Sequence, residues 1–153
     1  MRPFFEWCDK LAVSEAIRNS KILFPVIETF HLLALTVLLG SVLLVGLRLM
    51  GSGLRKQSVT AVAAALFPII NWSLAVMLVS GFLLFCSEAI KCYENPPFFF
   101  KMTMLAAAIV FHFAVVRPAA NARVGRVRLV ASGMISLVCW FSVAAGGRAI
   151  GFY

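Results

Sequence analysis

The chain has 153 residues, 62% hydrophobic and only 13% charged, where an ordinary soluble domain carries about a quarter charged. Its net charge of +8 would suggest a nucleic-acid partner in a soluble protein. Here the basic residues fall in loops between four long apolar runs, so nucleic acid is excluded and the charge has a topological role instead.

The first segment, residues 3–19, alternates Phe4, Phe5, Trp7, Cys8, Leu11, Ala12 and Ile17 with Glu6, Asp9, Lys10, Glu15 and Arg18. That spacing predicts a short amphipathic helix lying in the outer headgroup layer. It has no apolar core of its own, so no separate signal peptide is expected. Apolar runs follow at 22–47, 61–85, 98–116 and 129–145. Each approaches or exceeds the roughly 20 residues that cross a hydrocarbon core, and a soluble chain this short could not cover four of them. Asn95-Pro96-Pro97 stops any preceding helix and opens the third run, proline being well tolerated in a first turn. The expected fold is all-α: a single domain over 1–153, an integral membrane four-helix bundle with an N-terminal interfacial helix.

Loop charges set the expected orientation. Residues 48–60 carry Arg48, Arg55 and Lys56, and residues 117–128 carry Arg117, Arg123, Arg126 and Arg128, with no acid in either. Residues 86–97 carry Lys91 beside Glu88 and Glu94. The positive-inside rule therefore puts the first and third loops in the cytoplasm. Both termini then face outward, into the periplasm if the membrane is a bacterial inner membrane.

Polar side chains inside a span are costly and usually face the bundle interior. Glu28 and His31 share a face of the first span, and Arg148 lies just beyond the fourth span on the same side of the membrane. Lys101 sits a few residues inside the third span, where its stem can snorkel outward. Counting at 1.5 Å per residue places His31 roughly 25 Å above the cytoplasmic boundary and His112 only about 8 Å above it. Asn71 and Trp72 lie deeper on the second span. Two histidines suggest a bis-histidine haem b, but a height difference of roughly 18 Å excludes that pairing within one chain. Haem b remains open if His31 pairs with its copy across a dimer axis or with Met102, and copper remains open at His31. The competing reading is an interhelical histidine held by Glu28, and His112 is expected to be nearly silent. The four cysteines form no zinc signature. A Cys8–Cys92 disulfide and free apolar thiols stay as alternatives. Ser80, Ser132, Ser136 and the glycines of the spans read as helix-packing residues. Neither a nucleophile–base–orienter set nor a phosphate-binding glycine loop appears, so no catalytic residue is named and an enzyme is not indicated.

Several short motifs carry a resemblance: Glu28-Thr29-Phe30-His31, Leu47-Arg48-Leu49-Met50-Gly51, Asn95-Pro96-Pro97-Phe98 followed by Lys101, and Gly147-Arg148. In their order and spacing the chain resembles a functionally uncharacterised family of small four-span bacterial inner-membrane proteins. Members often have an acid where this chain has Gly46. More distantly the architecture is similar to copper-resistance membrane proteins and membrane b-type cytochromes. Three readings result. One is a non-catalytic membrane protein with a small polar site in the periplasmic half (Glu28, His31, Lys101, Met102, Arg148), redox or metal linked. Another is a dimeric haem b electron-transfer protein. The third is an accessory subunit of a membrane complex, its polar cluster serving assembly alone. Homo-oligomerisation and a complex partner both stay open beside the lipid bilayer.

Overall fold

A computed structural model describes residues 2–122 and 124–152; Arg123, one of the third-loop charges, lies outside the described residues. Two short helices, α1 (Arg2–Asp9) and α2 (Ala12–Asn19), lead into α3 (Leu23–Leu49) and α4 (Val59–Ser87). A single turn, α5 (Ala89–Tyr93), precedes α6 (Pro96–Phe111), a π-helical turn at His112–Val116, α7 (Arg117–Asn121) and α8 (Arg126–Ile150). Four helices, Leu23–Leu49, Val59–Ser87, Pro96–Asn121 and Arg126–Ile150, are long and apolar enough to cross a membrane. The chain is thus a multi-pass membrane protein. The two ends of the bundle differ: one carries both termini and α5, and the other carries the basic loops.

The helices outrun the apolar runs because their last turns are polar or capped. The Ser58 hydroxyl accepts the Ala61 N–H at 3.0 Å and opens α4, which satisfies one of the orphan donors of a first turn. Gly51, at φ +77°, ends α3 with the left-handed residue that glycine supplies at no steric cost. The third helix runs furthest beyond its apolar stretch, continuing past Val116 through Arg117–Asn121. A proline within a regular helix clashes with the carbonyl four residues back. The wider π-turn immediately before Pro118 relieves that conflict and keeps the helix going.

The N-terminal segment is two helices rather than one. Leu11 is extended at the corner, the Ser14 hydroxyl donates to the Cys8 carbonyl at 2.7 Å, and Arg18 pairs with Asp9. Phe5, Cys8, Ser14 and Ile17 are buried, so the inward faces of α1 and α2 dock on the bundle. Helix α1 packs on α4 and α5, and α2 on α3 and α4.

Among the long helices α3 packs closely on α4, α6 on α8, and α3 on α8. The chain is therefore two hairpins meeting along the α3–α8 seam. There a Cβ on Gly133 would stand 2.9 Å from the Gly46 carbonyl oxygen, so glycine alone permits this approach. Leu38, Ile70, Trp140 and Val143 fill the centre. Aromatic contacts bridge α4 to the third span at both ends. Phe85 stacks on Phe98 with centroids 5.5 Å apart, and Phe67 meets His112 edge-on at 5.4 Å.

Candidate functional site

His31 lies on the inward face of α3 and is 9% exposed. Its ring packs against Gly81, where a Cβ would come within 3.0 Å of Cε1. Its Nδ1 stands 3.0 Å from the Ser80 hydroxyl. The single proton of that hydroxyl is directed at the Val76 carbonyl, 2.6 Å away. Ser80 must then accept, so His31 donates from Nδ1, and in the neutral ring Nε2 keeps its lone pair. The hydroxyl read as a packing residue is in fact the partner of the imidazole. The adjacent small pair Ser80-Gly81 is the sequence signal that marks such a seat.

Lys101 is half-buried one turn inside α6. Its Cβ lies beside Gly146 and its ammonium beside Gly147, 3.4 Å from where a Cβ would be. The stem therefore climbs the glycine pair of α8 toward the end carrying the termini, as snorkelling requires. Among the described residues the ion pairs are Arg2–Glu6, Arg18–Asp9 and Lys91–Glu88, so no carboxylate meets Lys101. The N-terminus of α6 is pinned above it by the Asn95 amide, which donates to the Ile150 carbonyl at 3.2 Å.

The other expected site residues are elsewhere. Glu28 is exposed and joins neither His31 nor Arg148 in any hydrogen bond or ion pair among the described residues. Arg148 is exposed, with its guanidinium 5.4 Å from the centroid of the Phe152 ring. Met102 is 45% exposed, on the outer surface of α6. The structure thus pairs His31 with Ser80, seats Lys101 on the glycines of α8, and leaves Glu28, Met102 and Arg148 apart from both. No group of three His, Cys, Asp or Glu positioned for a metal occurs among the described residues.

His112 opens the π-turn, is 2% exposed and has no hydrogen-bond partner at either ring nitrogen. It sits edge-on to Phe67 and Phe113. His31 lies against Gly81 and His112 against Phe67 on the same helix, a separation of about 21 Å at 1.5 Å per residue. That distance agrees with the depths expected from sequence, and one haem cannot span it.

Outside the spans, two groups near the mouth are displaced from their ordinary ionisation. The Cys92 thiol is pushed up to about 11, mainly by burial and then by the Glu88 carboxylate. Lys91 is raised by its hydrogen bond to that same carboxylate.

Compared with known proteins, the chain matches the model of a family of unknown function, DUF6644, over residues 4–153. No match is found among the curated proteins or the solved structures.

Proposed function

The chain thus belongs to a family from which no activity can be inherited, and we propose that it is a non-catalytic inner-membrane protein binding a small oxyanion in the half of the bundle carrying both termini. The observation that carries this reading is Lys101. A cation within a span is costly and marks a functional position, and this one has no carboxylate against it among the described residues. The ammonium supplies the charge for an oxyanion. Nε2 of His31, with its lone pair free, suits an O–H such as that of hydrogen phosphate or a carboxylic acid. Among the described residues His31 belongs to no group of three His, Cys, Asp or Glu that could hold a metal ion, which disfavours copper. The proposed orientation puts the basic loops in the cytoplasm and the site toward the periplasm.

Titration of the detergent-purified protein with inorganic phosphate and with acetate tests the reading. Binding should be lost in Lys101→Met and weakened at least tenfold in His31→Phe, with no Soret band and no stoichiometric copper in the preparation. Saturable haem or copper, or unchanged anion binding in Lys101→Met, would overturn it. A periplasmic-type reporter fused after Tyr153 should be active, and activity of a cytoplasmic-only reporter there would reverse the orientation.

A second reading is an accessory subunit in which the polar groups serve packing alone. The observation favouring it is the His31–Ser80 hydrogen bond, which ties α3 to α4. On that reading no anion binds, and Lys101→Met leaves association with a membrane partner intact.

A further inference from the structure

Cys8 on α1 and Cys86 in the last turn of α4 are 0% and 2% exposed. They share a small core with Phe5 and Ala89, flanked by Phe85, Tyr93 and Phe98. Both are free thiols buried within this one cluster. The sequence leaves a Cys8–Cys92 disulfide and free thiols as alternatives; the fold buries Cys86 in the same cluster as Cys8, with Cys92 only packed against its edge.

Helix α1 has only eight residues, too few to hold its shape without tertiary contacts. Its docking rests on this cluster and on the corner made by Ser14, Asp9 and Arg18. It covers the end of the bundle next to Cys92 and Lys101, since Phe5 packs on Phe85, Tyr93 and Phe99. Two thiols joining a short covering helix to the end of a long one are placed to act as a fastening.

We propose that Cys8 and Cys86 form a redox latch: a disulfide between them locks α1 over the end of the bundle, and its reduction lets α1 lift away. The latch rests on the orientation given above, because disulfides persist on the oxidising side of a membrane. Its chemistry balances with an external disulfide as oxidant. With α1 lifted, the Cys8 thiolate attacks that disulfide, forming a mixed disulfide and releasing one thiol. When α1 docks, the Cys86 thiolate attacks the Cys8 sulfur and expels the second thiol. Two protein thiols are oxidised, one disulfide is reduced to two thiols, and the attacking thiols' protons end on the products. Opening is the reverse exchange with an external dithiol as reductant. One of its thiolates attacks the Cys8 sulfur when α1 frays and expels the Cys86 thiolate; its second thiolate then releases Cys8. The dithiol ends as a disulfide while both protein thiols are restored. Burial of the docked bond makes this exchange slow.

The test uses full-length protein from membranes of aerobically grown cells, with thiols blocked by N-ethylmaleimide at lysis. Peptide mapping without reductant should show Cys8 linked to Cys86 as the main form, persisting in Cys92→Ser and absent in Cys86→Ser. Tryptic cleavage after Lys10 should leave the N-terminal fragment attached until dithiothreitol is added, whereas in Cys8→Ser it should leave at once. Alkylated Cys8 and Cys86 in cells, with no bridge forming even under oxidised glutathione, would overturn the juxtaposition. A bridge formed by oxidised glutathione in the purified protein but missing in cells would overturn the latch, and the reporter after Tyr153 then reads whether orientation is the reason. A Cys8–Cys92 bridge would also overturn it. None of these results depends on anion binding at Lys101.

Discussion

Lys101 and Gly147 lie against one another, the ammonium nitrogen 3.4 Å and Cε 3.5 Å from the position a Cβ would take on the glycine. At Gly146 the same test brings a Cβ to 3.2 Å from Lys101 Cβ and 3.3 Å from its Cα. The two neighbouring glycines therefore respond differently to a methyl group.

Gly147→Ala meets only ordinary van der Waals contact with a flexible stem and should leave thermal stability nearly unchanged. Gly146→Ala presses on the backbone of α6, and overpacking of this kind costs about 1–3 kcal/mol. Melting temperatures in one detergent check the contrast; equal losses at both positions would show that the lysine stem is not seated as described. Gly147→Leu should preserve the fold and weaken phosphate binding by displacing the ammonium.

Ser80 is the second test. Ser80→Ala leaves the Nδ1–H of His31 buried without its acceptor, a loss of about 1–3 kcal/mol. Replacing both partners, as in His31→Phe with Ser80→Ala, removes the stranded donor. The double variant should therefore melt higher than the sum of the single effects implies. Strict additivity in that cycle would mean that the two side chains do not interact.

How legible this was in the sequence differs between residues. The four spans were legible because hydropathy alone decides them, and so was the wide separation in depth of His31 and His112, a matter of counting. The Asn95-Pro96-Pro97 turn was legible as a helix boundary. What failed was the assignment of partners. Glu28 is three residues from His31 and shares a face in projection, yet a helix face is wide enough for one residue to be buried and the next turn exposed. Ser80, the actual partner, is on another helix, and no single-chain periodicity encodes which turn of α4 faces His31. That Cys8 and Cys86 share one buried cluster was hidden for the same reason.

His112 offers a third measurement. Both ring nitrogens are buried without partners, and stranded polar groups cost about 1–3 kcal/mol each. His112→Phe keeps the ring, preserves the edge-on contact with Phe67 and removes the polar atoms. It should raise the melting temperature. A lower melting temperature would show that the nitrogens meet a partner in the membrane-embedded protein.

The fourth concerns pH and Cys92. Its ionisation is raised from the ordinary 9.0 to about 11 by burial and Glu88, so the folded chain favours the protonated thiol. For a group raised on folding, the linked stability is fully present below the unfolded value and fades as pH climbs through the folded one. Between about pH 9 and pH 11 the wild type should therefore lose stability more steeply than Cys92→Ala. Parallel curves would refute the burial of that thiol, as would alkylation of folded protein at pH 8 at the rate of a free cysteine.

The glycine contact between α3 and α8 has a mechanical consequence. Gly133 and Gly46 meet backbone to backbone toward the end with the basic loops, while His31, Lys101 and the covering helix α1 lie toward the opposite end. A rigid contact at one extremity of two long rods acts as a fulcrum, so any relative rocking of the hairpins is smallest there and largest at the far extremity. A side chain added at Gly133 would wedge the rods apart at the pivot and be magnified along their length. The far end is thus the one whose spacing depends most on the angle set at this contact.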